Sequence, residues 1–197
     1  NRSDSYNGTR HIAEWAHQLK GWAITTRMNY TGFKGPQQSG SFIRPFADIS
    51  KTLNHFNKMQ LGVRYTGEIN TIRPENTDTL TATSFAFHVY EAYIKSNPAL
   101  RNKWGLHYTR REDLLPYQNK LLKTDLSNNY TVTSEWLKSD LRQLKLSVTY
   151  RDLNVLTTAR PSLLKPEESV LGRLEYAATE WKGFATANFL YEIGTGQ

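Results

Sequence analysis

The chain has 197 residues, 38% of them hydrophobic, a formal charge of +7 and no cysteine. Disulfide scaffolds, thiol catalysis and Cys-based zinc sites are thereby excluded, and no run approaches the roughly eighteen apolar residues of a membrane-spanning helix. A membrane-spanning strand is compatible with a mean hydropathy of -0.63, because half of its positions face away from lipid and dilute the average.

Strand-like alternation recurs along the chain. "GWAITTRMNY" places Trp22, Ile24, Thr26, Met28 and Tyr30 on one face. "SFIRPFADIS" groups Ile43, Ala47 and Ile49, with Pro45 pointing to an edge or a bulge. "QLGVRYTGEI" sets Leu61, Val63 and Tyr65 against Arg64, Thr66 and Glu68, and "SFAFHVYEAYI" sets Phe85, Phe87 and Val89 against Ala86, His88 and Tyr90.

The second half continues the pattern. "KWGLHYTRR" opposes Trp104, Leu106 and Tyr108 to His107, Thr109 and Arg111. "EDLLPYQNKLLKTD" (112–125) is the one stretch expected to form a helical turn or two, on a stripe of Leu114, Leu115, Leu121 and Leu122. "NNYTVTSEW" opposes Tyr130, Val132, Ser134 and Trp136 to Thr131, Thr133 and Glu135. In "RQLKLSVTYRD", Leu144, Leu146, Val148 and Tyr150 alternate with Lys145, Ser147, Thr149 and Arg151. The last stretch reads as two strands turning near Lys182-Gly183, and "YEIGTGQ" as a glycine-rich loop.

Segments 32–41, 70–79 and 159–169 carry the Gly, Pro, Asn and Ser of loops. The fold class is therefore all-β, an antiparallel meander of about ten strands. Residues 1–197 read as a single β unit, expected to be a segment of a larger barrel or strand array. Residues 14–35 and 175–196 echo one another, each running Glu, aromatic, Ala, then Lys-Gly-aromatic-Ala. Convergence and a repeated hairpin both account for the echo.

The oily faces begin or end in Trp22, Tyr30, Tyr65, Trp104, Tyr108, Trp136 and Tyr150, which are the candidates for membrane-interface aromatics. Arg64, His107, Lys145 and Arg151 are the candidates for a polar interior face. Soluble half-exposed sheets alternate in the same way, so a soluble β-sheet module binding a glycan or another anionic ligand is the alternative.

"KPEESVLGRLEYAATEWKGFATANFLYEIGTGQ" and "HYTRREDLLPYQNKL" resemble large, poorly characterised strand-rich outer-membrane and surface proteins of Bacteroidota bacteria. The resemblance implies location in the outer membrane or at the cell surface, and a large parent protein. It implies no activity.

Catalytic chemistry finds little support. His11 and His17 are six residues apart, about 20 Å on an extended strand, and His55, His88 and His107 have no zinc-type spacing. The carboxylate pairs Glu112-Asp113 and Glu167-Glu168 fall in loop-like sequence with nothing to set them across a cleft. No enzyme, cofactor or metal site is expected. The positive charge is scattered rather than clustered, which disfavours nucleic acid as a partner. The expected partners are outer-membrane lipid and other chains of a surface or transport complex.

Overall fold

A computed structural model describes residues 7–54, 58–139, 142–155, 167–178 and 187–196. They form one antiparallel sheet of ten strands in meander order, in which every strand pairs with its neighbours in sequence. The strands are β1 (Asn7–Leu19), β2 (Trp22–Lys34), β3 (Gln38–Leu53), β4 (Met59–Pro74), β5 (Phe85–Lys95), β6 (Asn102–Tyr117), β7 (Lys120–Ser139), β8 (Arg142–Val155), β9 (Glu167–Ala178) and β10 (Ala187–Gly196). Among the described residues no ladder joins β1 to β10, so the sheet is open.

Alternation gives the sheet two chemically distinct faces, and the register aligns them from strand to strand. Val63, for example, faces Ile49 on one side and Ala92 on the other. Leu106, Val132, Val148 and Gly172 form one continuous row. We term this the oily face and its reverse the polar face.

The sheet has almost no conventional core. Among the described residues the buried apolar side chains are Leu80, Ala86 and Tyr93. Ordering comes from backbone ladders and cross-strand side-chain pairs instead. The connection between β4 and β5 is well anchored. The Ser84 hydroxyl donates to the Ile72 carbonyl and accepts from the Ile72 amide, and the Leu80 amide donates to the Gln118 carbonyl of the β6–β7 turn.

Four expectations from sequence need correction. Residues 112–125 are not helical. They are the facing ends of β6 and β7 around a tight turn at Gln118, a non-glycine residue held at φ 54°. Leu114 and Leu115 pair with Lys123 and Leu122 across that hairpin, after a register shift at Asp113/Leu114. Pro45 marks neither an edge nor a bulge. It lies in β3 between β2 and β4, where the ladder to β4 lapses at residues 44 and 45 and resumes in unchanged register. A proline lacking its N–H removes one rung without shifting the rest.

"YEIGTGQ" is strand rather than loop as far as Gly196, since Tyr191 to Gly196 pair with Leu174 to Ser169. The loops read at 32–41 and 70–79 are shorter than expected, because β2 runs to Lys34, β3 starts at Gln38 and β4 continues to Pro74. The turn expected at Lys182-Gly183 and residues 159–166 lie outside the described residues, as does His55.

Candidate functional site

The oily face is exposed. Among the described residues, the large hydrophobic side chains open to solvent all belong to this face, except Ile12, Leu171 and the hairpin residues Leu115, Tyr117 and Leu122. Val132 is 53% exposed and Val63 55%. An ordinary soluble sheet packs such a face against a second layer, and no described residue supplies one.

Most aromatic residues on this face fall into two lines, although Trp15 stands in the hydrogen-bonded row of Tyr65 and Tyr90, and Tyr176 in that of Trp136. All seven predicted interface aromatics lie on it. Trp22, Trp104 and Trp136 stand towards the end of the sheet that carries the β1–β2 and β5–β6 turns. Tyr30, Tyr65, Tyr108 and Tyr150 stand farther towards the other end, joined by Tyr90 and Tyr130. The tyrosines interlock across strands, with ring centroids 5.3 Å apart for Tyr65–Tyr90, 5.1 Å for Tyr108–Tyr130 and 6.1 Å for Tyr130–Tyr150.

Both aromatic lines slope the same way across the hydrogen-bonded rows. The row of Trp22 runs through Lys51, Leu61, Ile94 and Leu106 to Val132, yet Trp136 stands two same-face positions beyond Val132. The row of Tyr30 runs through Ile43, Ile69 and Ala86 to Leu114, and Tyr108 is displaced from Leu114 in the same direction. A level belt must cross rows obliquely when strands are tilted, as in a barrel wall. The lines are about 27 Å apart along β2 and about 20 Å apart along β7 at the strand rise, which a strand tilt of about 35–45° reduces to roughly 20 and 15 Å of height, somewhat less than the apolar band of about 25 Å in outer-membrane barrels.

Charge returns to the oily face outside this band. Beyond Tyr108 come Arg110 and Glu112, where the Glu112 carboxylate bonds Arg110 and Lys123, each at 2.7 Å. The Lys123 ammonium, assisted by Arg110, holds the Glu112 carboxyl below the usual carboxylate range. At the opposite margin Lys51 lies over the Trp22 ring at 4.8 Å and donates to the Lys20 carbonyl.

On the polar face the charges are interleaved. Arg64 Nε donates to Asp48 at 2.7 Å and its guanidinium lies 3.7 Å from Glu91, which is 3.3 Å from His107 Nδ1. The Tyr93 hydroxyl donates to the second oxygen of Asp48 at 3.2 Å. Arg44–Glu68 and Lys103–Glu135 add pairs at 3.0 Å each. Tyr93 can lie flat here because its register partner is Gly62, where a Cβ would stand 2.5 Å from the ring. Phe87 also belongs to this face and is covered by the Arg111 guanidinium at 4.9 Å.

All four predicted interior residues lie on the polar face. Arg64 and His107 meet at Glu91, Lys145 faces Glu135 across the β7–β8 ladder and attracts its carboxylate, and Arg151 has no close ion pair among the described residues. Sequence reasoning missed Asp48, Glu91 and Tyr93. Their alternation with Ala47, Tyr90 and Ala92 was the available signal. Of the carboxylates considered for catalysis, Glu112 and Asp113 lie in β6 rather than a loop and are engaged in ion pairs, Glu112 as above and Asp113 with Arg111 at 2.8 Å, while Glu167 and Glu168 open β9. His11 and His17 share a face of β1 at strand spacing, and the described residues contain no cluster of three or more metal-ligating side chains. No protein-family model and no curated protein matches this chain.

Proposed function

We propose that this sheet is a stretch of outer-membrane β-barrel wall, structural or transport-related, with lipid against its oily face and a polar, ion-paired interior behind it. The observation that carries the reading is the uncovered oily face, with its tryptophan and tyrosine lines and charge only outside them. Indole and phenol rings favour the headgroup level, where an apolar body and a polar tip are both satisfied. Half-buried ion pairs with interleaved signs suit a narrow aqueous lumen better than the dry interior of a sandwich, where each charge would carry a large desolvation cost.

The test is depth-resolved quenching of tryptophan fluorescence by lipids brominated at defined acyl positions, on the native protein in bilayer vesicles. Trp22, Trp104 and Trp136 should be quenched most strongly by shallow bromines. The absence of quenching at every depth would reject lipid contact.

A further inference from the structure

The two ends of the sheet differ in charge. Residues 15–22, 50–61 and 94–104 comprise the β1–β2, β3–β4 and β5–β6 connections with their flanking strand ends, all at the tryptophan end. They contain Lys20, Lys51, Lys58, Lys95, Arg101 and Lys103, and neither Asp nor Glu. The other end mixes its signs. Glu75 and Asp78 follow Arg73 in the β4–β5 connection, and Glu112 and Asp113 hold Arg110, Lys123 and Arg111 in ion pairs.

Two of the six cations turn to the polar face, where Lys95 lies over the Tyr93 ring and Lys103 bonds Glu135. The other four stand at the rim. Lys20, Lys58 and Arg101 are exposed connection residues, and neither they nor Lys51 join an ion pair among the described residues. The Lys51 ammonium, 4.8 Å from the Trp22 ring centre, reaches outward to the Lys20 carbonyl at 3.2 Å. The Thr52 amide donates to the Gly21 carbonyl at 2.8 Å, which fixes the β1–β2 turn beside the indole. Lys20 and Lys58 occupy left-handed backbone, at φ 46° and 57°, a conformation that glycine or asparagine adopts at less cost. The non-glycine residues in that conformation at the other end are the uncharged Asn76 and Gln118.

We propose that the tryptophan end docks on anionic phospholipid headgroups, with Lys20, Lys51, Lys58 and Arg101 meeting their phosphates. The inference rests on the lipid reading of the oily face and adds to it the chemistry of one leaflet. An indole favours the headgroup level, so an ammonium lying on Trp22 and directed outward stands at the depth of the phosphates. Each Lys or Arg near an anionic surface adds attraction that fades within a Debye length, about 8 Å at physiological salt.

The experiment reconstitutes the native protein in vesicles of brominated phosphatidylcholine and replaces part of that lipid with unbrominated phosphatidylglycerol. Recovery of tryptophan fluorescence gives the relative affinity of the two headgroups for the protein. A preference for phosphatidylglycerol of about fivefold or more is expected, shrinking as salt rises. Lys20→Gln combined with Lys58→Gln should lower it by about half or more. Lys34→Gln, which removes an exposed charge at the tyrosine end, should match the parent. Equal affinity for the two lipids, or an equal loss in Lys34→Gln, would overturn the proposal, while quenching by brominated phosphatidylcholine alone would leave the lipid reading standing. Absence of quenching would reject both. Circular dichroism of each variant separates loss of charge from loss of fold.

Discussion

Val132 offers the sharpest contrast between lipid and water against the oily face. It lies on β7 between Tyr130 and Trp136, 53% exposed, with Leu106 and Val148 as its register neighbours. A guanidinium placed there should cost about 2–4 kcal/mol if the position lies near a bilayer midplane, or roughly 30- to 1,000-fold in the unfolding equilibrium. If water covers the face, Val132→Arg replaces an exposed side chain and should change stability by no more than about 0.5 kcal/mol. The assay is urea unfolding in phospholipid vesicles followed by tryptophan fluorescence. Thr131→Arg, on the polar face, serves as comparison. It should lose only the hydroxyl contact with Thr149, 3.0 Å in the parent, worth about 1 kcal/mol. Equal, small effects of the two variants would refute the assignment of faces to media.

Removing Arg64 leaves Asp48 and Glu91 facing each other across β4, so Arg64→Met should destabilise by about 1–2 kcal/mol at neutral pH, discounted because the arginine is over a third exposed. The same unfolding assay, with Asp48→Asn introduced in the Arg64→Met background, should recover part of that loss. Gly62→Val should cost about 1–3 kcal/mol by displacing the Tyr93 ring. Gly172→Val should cost nothing comparable, since no atom lies within 4 Å of its Cβ position. The Glu112 carboxyl is held low by Lys123 and Arg110. Its contribution should be fully present above the ordinary carboxylate range of about 4.3 and lost as pH falls through the depressed value. Limited proteolysis of the β6–β7 hairpin as a function of pH reads this out, and Glu112→Gln should abolish the pH dependence.

The two faces were legible in most strands because strand periodicity is local; β5 is the exception, where Phe85, Phe87 and Val89 look like the oily side but the register sets Ala86, His88 and Tyr90 beside Ile69, Gly67 and Tyr65. Leu144, Leu146, Val148 and Tyr150 declare their side without knowledge of any neighbour, and the same holds for Trp104, Leu106 and Tyr108. The hairpin at 112–125 was misread for the opposite reason. The spacing of Leu114, Leu115, Leu121 and Leu122 fits a helical stripe, while in the structure the leucines meet across a turn, as Leu115 with Leu122. Pro45 misled because proline is rare in interior strands, yet one missing rung is tolerated when register resumes on both sides.

What stayed hidden depends on register between distant strands. Arg64 finds Asp48 and Glu91 from β3 and β5, and the Tyr93 hydroxyl reaches Asp48 across the intervening β4. No single strand carries the signal for such a site. The common slope of the tryptophan and tyrosine lines is of the same kind, because it appears only once the rows are aligned.

Carbonate extraction of membranes bearing the native protein, followed by gel migration with and without heating, tests the central claim most directly. The account predicts retention in the outer-membrane fraction and a heat-dependent shift in mobility, as a folded barrel wall resists both alkali and detergent. Release into the soluble fraction as a monomer would contradict it.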